Sequence, residues 1–317
     1  MRWWTIAAVF LAMSLACGRG GGKRDRGEGG GGGRGGGAGD VTGPRSDKRG
    51  FATEMHLQSG GLDRSALVHV PDGKTKDQKL PLVVLFHGGQ SGDDAEKMAA
   101  RWDHLGNQGF VMAFPNGIAT DERAWAGPED KRDFNFVKDL IAYLDAEVGI
   151  DKDRVYAAGF SNGSGFTWML ECFEADKFAG FGHVQQAMAK AVIDNCKPNK
   201  QVPTIWFHGD ADEKAIWEGN EKTVGVPKTM DFILNLHECD PAKTAVTDLP
   251  DLPGDKTSVT RTVYTACKDV KSIELFRIHG GSHHWPTQEK TREAEGKCSD
   301  IDASAEMIRF WRENAGL

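Results

Sequence analysis

No C-x-x-C spacing occurs among the six cysteines of this 317-residue chain, which argues against a zinc cluster. No Gly-X-Y period runs through its forty glycines, so a collagen-like rod is excluded. No internal repeat is visible, which removes solenoids and propellers. The one long apolar run, Trp3 to Leu15, is too short to cross a bilayer as a stable helix. Basic charge is in deficit over most of the chain: residues 51–317 hold 30 Lys/Arg against 42 Asp/Glu, a net −12. An acidic body argues against nucleic acid as the main partner. Whole-chain disorder is excluded by nine Trp and sixteen Phe.

What is present begins with an address. Arg2 followed by the Trp3–Leu15 run fits a secretory signal peptide over residues 1–17. Leu15-Ala16-Cys17-Gly18 resembles a bacterial lipoprotein signal, with Cys17 as the lipidation site, although Ser14 stands where that pattern prefers an aliphatic residue. A simple cleavable signal with an incidental cysteine is the alternative. The expected location is outside the cytoplasm, either on the cell envelope or extracellular, with membrane contact only through the lipid. Residues 18–50 carry sixteen Gly, eight Lys/Arg and four Asp/Glu, and are expected to be a disordered linker that buries no apolar surface. An RNA-binding Gly/Arg segment is the other reading, disfavoured by the signal in front of it. Export implies an oxidising compartment, and the five remaining cysteines leave one without a partner.

Residues 51–317 read as one domain of alternating strands and helices. Short apolar runs stop at turn residues: Pro81–Phe86, Phe110–Phe114, Arg154–Gly159, Pro203–Phe207 and Ser272–Ile278. Such runs suit strands buried on both faces. Helical spacing of apolar residues fills Asp94–Gln108, Asp133–Val148 and Ser304–Glu313, while Glu54–Gln58 and Ser65–Val70 look like an opening antiparallel hairpin. This pattern predicts an α/β fold: a mostly parallel twisted sheet with helices on both faces, in three α/β/α layers.

Gly159-Phe160-Ser161-Asn162-Gly163 fits G-x-S-x-G between a predicted strand and a predicted helix. That context lifts a serine hydroxyl clear of the sheet on a strained turn, whereas the plain alternative is an N-cap serine. A serine nucleophile needs a base, and the base an orienting acid, in the chain order Ser, Asp/Glu, His. His208-Gly209-Asp210-Ala211-Asp212-Glu213 offers the acid, with Asp212 preferred and Asp210 second. Gly280-Gly281-Ser282-His283-His284-Trp285-Pro286 offers the base, His283, with His284 as the alternative. His87, His208, His237 and His279 are read as structural. The oxyanion hole is assigned to the amides of Asn162 and of Gly89, with Gln90 as the alternative to Gly89. No cofactor and no metal are expected.

These motifs resemble the α/β-hydrolase branch that contains secreted poly(3-hydroxybutyrate) depolymerases, feruloyl esterases and acetyl xylan esterases. The matching pieces are Leu82–Gln90, Trp102–Gly117, Asp151–Gly163, His208–Asp212 and Gly280–Pro286. The resemblance implies a serine esterase with Ser161, His283 and Asp212 as triad. It also implies disulfides Cys172–Cys196 and Cys239–Cys267, with Cys298 left over. Ser164 departs from a common Gly, and Gly89 from a common Cys, which bears on substrate rather than on reaction class. Trp285, Trp125 and Trp217 lie on loops expected at the carboxyl end of the sheet, where ligands bind, and are assigned to a substrate-binding aromatic rim. The expected partner is an ester substrate, polymeric or oligomeric. Alternatives are a peptidase on the same fold and a binding protein whose site has decayed.

Overall fold

The computed structural model describes residues 51–89, 93–118, 125–288 and 295–315. The signal segment with Cys17, the Gly/Arg-rich stretch and Gln90 lie outside the described residues. The described chain opens with an antiparallel hairpin, β1 (Thr53–Ser59) and β2 (Leu62–His69). Next come β3 (Leu80–Phe86), α1 (Ala95–Ala100), β4 (Val111–Pro115), α2 (Arg132–Glu147), β5 (Ile150–Phe160) and α3 (Asn162–Phe173). The second half holds β6 (Gly180–Val184), the short α4 (Lys190–Ile193), β7 (Thr204–Gly209), α5 (Val226–Leu236), β8 (Thr244–Asp248), β9 (Ser258–Tyr264), β10 (Ile273–His279) and α6 (Ala303–Ala315).

All ten strands join one sheet in the order β1-β2-β4-β3-β5-β6-β7-β10-β9-β8. The inner run from β4 to β10 is parallel, and both flanks are antiparallel. β3 shows why it sits at the centre. Leu82, Val84 and Phe86 enter the core on one face while Val83 and Leu85 enter it on the other, so neither face tolerates water. α2, α3 and α5 cover the first face through Phe136, Leu140, Phe166, Leu170 and Met230. α1 and α6 cover the second through Met98, Met307, Phe310 and Trp311. The three-layer α/β/α arrangement agrees with the sequence reading.

The local differences have physical causes. The helix predicted over Asp94–Gln108 stops at Ala100, and a single 3-10 turn at Asp103–Leu105 follows before Gly109, whose φ of 76° ends the segment. β6, β8 and β9 join the sheet without an apolar run to announce them. β6 contains Gly180 and Gly182 because α6 lies directly on it. A Cβ on Gly180 would come 2.9 Å from Trp311 Cδ1, and one on Gly182 would come 2.8 Å from Met307 Sδ.

From β3 the chain moves to β4 on one side, and from β5 it moves to β6 on the other. Adjacent strands whose connections diverge leave a crevice beyond their carboxyl ends. The loops after β3 and β5 meet there.

Disulfides bridge Cys172 to Cys196 and Cys239 to Cys267, and Cys298 is a buried free thiol. The second bridge closes a span of 28 residues between the end of α5 and the segment after β9. Closure of such a loop in the unfolded chain is worth roughly 3–4 kcal/mol. The double variant Cys239→Ser/Cys267→Ser is therefore expected to lose about 3 kcal/mol in urea denaturation. An unchanged midpoint would show that this bridge does not stabilise the fold.

Candidate active site

The turn after β5 is tight. Ser161 has φ 53° and ψ −118°, a left-handed region that costs a non-glycine residue about 1–3 kcal/mol. The surroundings hold it there: its N–H donates to Val184 O at 2.9 Å, and its C=O accepts from Gly165 N–H at 2.9 Å. Gly163 is required by close approach, since a Cβ there would fall 2.3 Å from the carbonyl oxygens of both Phe86 and His87. Gly159 is required in the same way by the carbonyl of Gly163.

Ser161, His283 and Asp212 come from the loops after β5, β10 and β7 and form one hydrogen-bonded chain. Ser161 Oγ lies 2.8 Å from His283 Nε2, and His283 Nδ1 lies 2.7 Å from Asp212 Oδ2. The carboxylate can only accept, so Nδ1 carries the proton and Nε2 accepts from the serine hydroxyl. Asp212 is buried, and its other oxygen accepts the amides of Lys214 and Ala215, both at 2.8 Å. Burial alone would raise the Asp212 carboxyl. The His283 hydrogen bond and charge, with the two amides, outweigh it and hold the group below the ordinary carboxylate range.

Asp210 serves the same loops differently. It accepts from Gly280 N–H at 2.8 Å and from Arg277 Nε at 3.0 Å, and it meets His279 Nδ1 at 3.1 Å, so it fastens the turn after β10. His284 bonds Ser282 Oγ through Nδ1 at 2.8 Å. His87 donates to Gly88 O at 2.7 Å and accepts from Gly117 N–H at 3.1 Å. His208 is fully buried, which pushes its imidazole down to about 4 despite a 2.7 Å bond to Ala215 O. His237 is buried at the end of α5.

Gly89 packs directly on Asn162: a Cβ at Gly89 would fall 2.7 Å from that residue's Cβ. The two amides thus belong to adjoining backbones. Asn162 is the first residue of α3, where helix N–H groups lack intrahelical acceptors and the dipole favours negative charge. Two side chains stiffen this corner and were not foreseen. Asp93, beside Arg101 at 3.2 Å, accepts Gly88 N–H at 2.8 Å. Asn162 Oδ1 accepts Trp125 N–H at 2.8 Å.

A cleft of about 410 Å³ opens over Ser161, and Gly88, Gly89, His283, Trp285 and Cys298 are among its walls. Trp285 is nearly buried at its floor and donates from Nε1 to Ser304 Oγ of α6 at 3.2 Å. Burial raises the Cys298 thiol to about 11, so it stays protonated at neutral pH.

Two assignments of the aromatic rim are corrected. Trp125 is 5 % exposed and belongs to the core: its ring stacks on Phe166 at 5.1 Å and its Nε1 donates to His87 O at 2.8 Å. Trp217 is half-buried beside the acid loop, under Arg277 at 4.7 Å and against His208 at 5.8 Å, and it does not line the cleft. A loop's position at the end of a sheet does not fix which way its indole turns.

Gln185 is the main residue the sequence reading missed. It follows β6 at φ 55° and is buried. Its Nε2 donates to Ser282 O at 2.9 Å and His284 O at 3.1 Å, the carbonyls of the residues on either side of His283. Its Oε1 accepts Gly209 N–H at 2.9 Å, at the root of the Asp212 loop. The neighbouring Val184 carbonyl holds Ser161. Val184 through its carbonyl and Gln185 through its side chain therefore tie three loops together. No pattern in the sequence marks it, because a lone glutamine has no spacing to read.

No family model matches the chain. Feruloyl esterase B of Piromyces equi is 29% identical over 237 residues, 69% of this chain and 42% of that protein. Poly(3-hydroxyalkanoate) depolymerase C of Paucimonas lemoignei is 23% identical over 253 residues, 70% of this chain and 59% of that protein. The chain thus spans less than two thirds of the length of these curated relatives. Among solved structures, an acetyl xylan esterase from Aspergillus awamori superposes with a TM-score of 0.53 at 12% identity, covering 73% of this chain and 94% of that one. A ferulic acid esterase from Anaeromyces mucronatus gives 0.51 at 16% identity, covering 87% and 94%. The chain has the α/β-hydrolase fold, and in sequence it resembles feruloyl esterases, an acetylxylan esterase and poly(3-hydroxyalkanoate) depolymerases.

Proposed function

We propose that the protein is a serine esterase that cleaves carboxylic esters of polymeric or oligomeric origin, with Ser161 as nucleophile, His283 as base and Asp212 as its orienting acid. The observation that carries this reading is the unbroken Ser161–His283–Asp212 hydrogen-bonded chain beside a cleft at the topological switch point. His283 Nε2 takes the hydroxyl proton as Ser161 Oγ bonds to the ester carbon. The carbonyl oxygen becomes an oxyanion held by the Gly89 and Asn162 amides. Collapse breaks the bond to the alcohol, which leaves with the proton from His283. Water, deprotonated by the same imidazole, then attacks the acyl-enzyme and releases the acid. Asp212, ionised by its three donors, keeps Nδ1–H directed inward and offsets the imidazolium charge. Gln185 acts as a positioning residue, since it holds the carbonyls of the residues that flank the base.

The N-terminal segment supports export, with a lipid on Cys17 and residues 18–50 as the tether. Among the described residues no helix is long and apolar enough to cross a membrane.

Ser161→Ala is expected to lower kcat on 4-nitrophenyl acetate by about 10⁶-fold and Asp212→Asn by about 10⁴-fold, with circular dichroism unchanged. Turnover retained by Ser161→Ala would overturn the nucleophile. Gln185→Met keeps the side chain's length but removes its three polar links. It is expected to lower kcat by up to about 10²-fold with KM little changed, and the rate of fluorophosphonate labelling should fall in step. Equal kcat values would remove the positioning role. In a bacterial host, Cys17→Ser is expected to abolish incorporation of radiolabelled palmitate. Label retained by that variant would place the lipid elsewhere.

A further inference from the structure

The cleft carries a charge opposite to that of the body. Residues 51–317 are strongly acidic, yet Lys97, Arg101, Lys214 and Lys297 all line the cleft over Ser161. Among the described residues that line it the one carboxylate, Asp93, is beside Arg101 at 3.2 Å and occupied by Gly88 N–H. Arg101 is further held over the rings of Phe160 at 4.7 Å and Trp285 at 5.7 Å. Lys97, Lys214 and Lys297 come from three separate segments and line one opening. Lys297 is half-buried, and among the described residues neither it nor Lys97 has an ion pair. Their field reaches the wall of the cleft: burial lowers the basicity of His284, and the charges of Lys297, His283 and Lys214 lower it further.

Converging like charges are costly unless a counter-charge arrives, and a concave wall focuses their field on whatever enters. A neutral acyl or aryl ester supplies no such charge. We propose that the cleft takes an ester that bears a carboxylate near the scissile bond, on its acyl side as a dicarboxylic monoester does or on its alcohol side as an oligomer of a hydroxy acid does at its free end. The proposal deepens the esterase reading and rests on it. The lysines act on binding and approach: they raise the local concentration of the anion and hold it with its ester carbonyl over Ser161, while the bonds made and broken stay as described above.

The test compares two chromogenic esters of equal chain length, mono-(4-nitrophenyl) glutarate and 4-nitrophenyl pentanoate, with the intact enzyme. At low salt the glutarate is expected to show a kcat/KM higher by about tenfold, mainly through KM. That ratio should shrink as the Debye length falls from about 30 Å to about 3 Å between 0.01 M and 1 M salt. Lys297→Gln and Lys97→Gln, taken singly, should each lower the ratio at low salt. A ratio near one, or one indifferent to salt and to both substitutions, overturns the proposal while hydrolysis of the pentanoate leaves the esterase reading standing. If neither ester is cut and a fluorophosphonate fails to label Ser161, the esterase reading falls and takes the proposal with it. As a natural arm, a 3-hydroxybutyrate trimer with a free carboxylate should be cut faster than its methyl ester, and the reverse order counts against the proposal.

Discussion

The approach of Gly163 to the carbonyls of Phe86 and His87 is the constraint from which the site follows. It clamps the start of α3 against the end of β3, and no side chain larger than hydrogen fits between them. Because β3 and β5 are neighbours in the sheet, this contact brings the loop after one strand onto the turn after the other. Gly89 can then lie against Asn162, and two amides from distant segments come to border the same space. The strain at Ser161 is the local cost of that closeness. A fully buried central sheet can sustain it.

A second layer of polar contacts fixes the pieces that the sheet only brings near. Asp93 grips Gly88, Asp210 grips Gly280, and Gln185 grips the carbonyls of Ser282 and His284 on either side of His283. These bonds are made to backbone rather than to the side chains of Ser161, His283 and Asp212. They set where loops stand, and the loops in turn set where an imidazole ring stands.

How much of this was legible follows from what each residue type can announce. β3, β4, β5, β7 and β10 carry short apolar runs closed by turn residues, and burial on both faces demands that composition. β6 is as deeply buried but needs glycine under α6, so it has no run to read. β9 alternates and lies partly exposed, and β8 is an exposed edge, so neither stands out. Ser161, Asp212 and His283 could be singled out because each sits in a motif with turn residues at set offsets. Trp125 and Trp217 could not be oriented, since the same loop position serves a core indole or a surface one. Gln185 was invisible for a related reason: its importance lies in three partners 24 to 99 residues away.

The glycines of β6 have a consequence far from that strand. Met307 and Trp311 rest in the hollows that Gly182 and Gly180 leave, and the same helix carries Ser304, which accepts from Trp285 and donates to the carbonyl of Arg101. A methyl group added at residue 182 would come 2.8 Å from Met307 Sδ, so that side chain would have to give way where the C-terminal helix packs on the sheet. Strand, helix and indole thus form one line of contacts that ends at the wall of the cleft over Ser161, so the shape of the opening depends in part on two positions that carry no side chain.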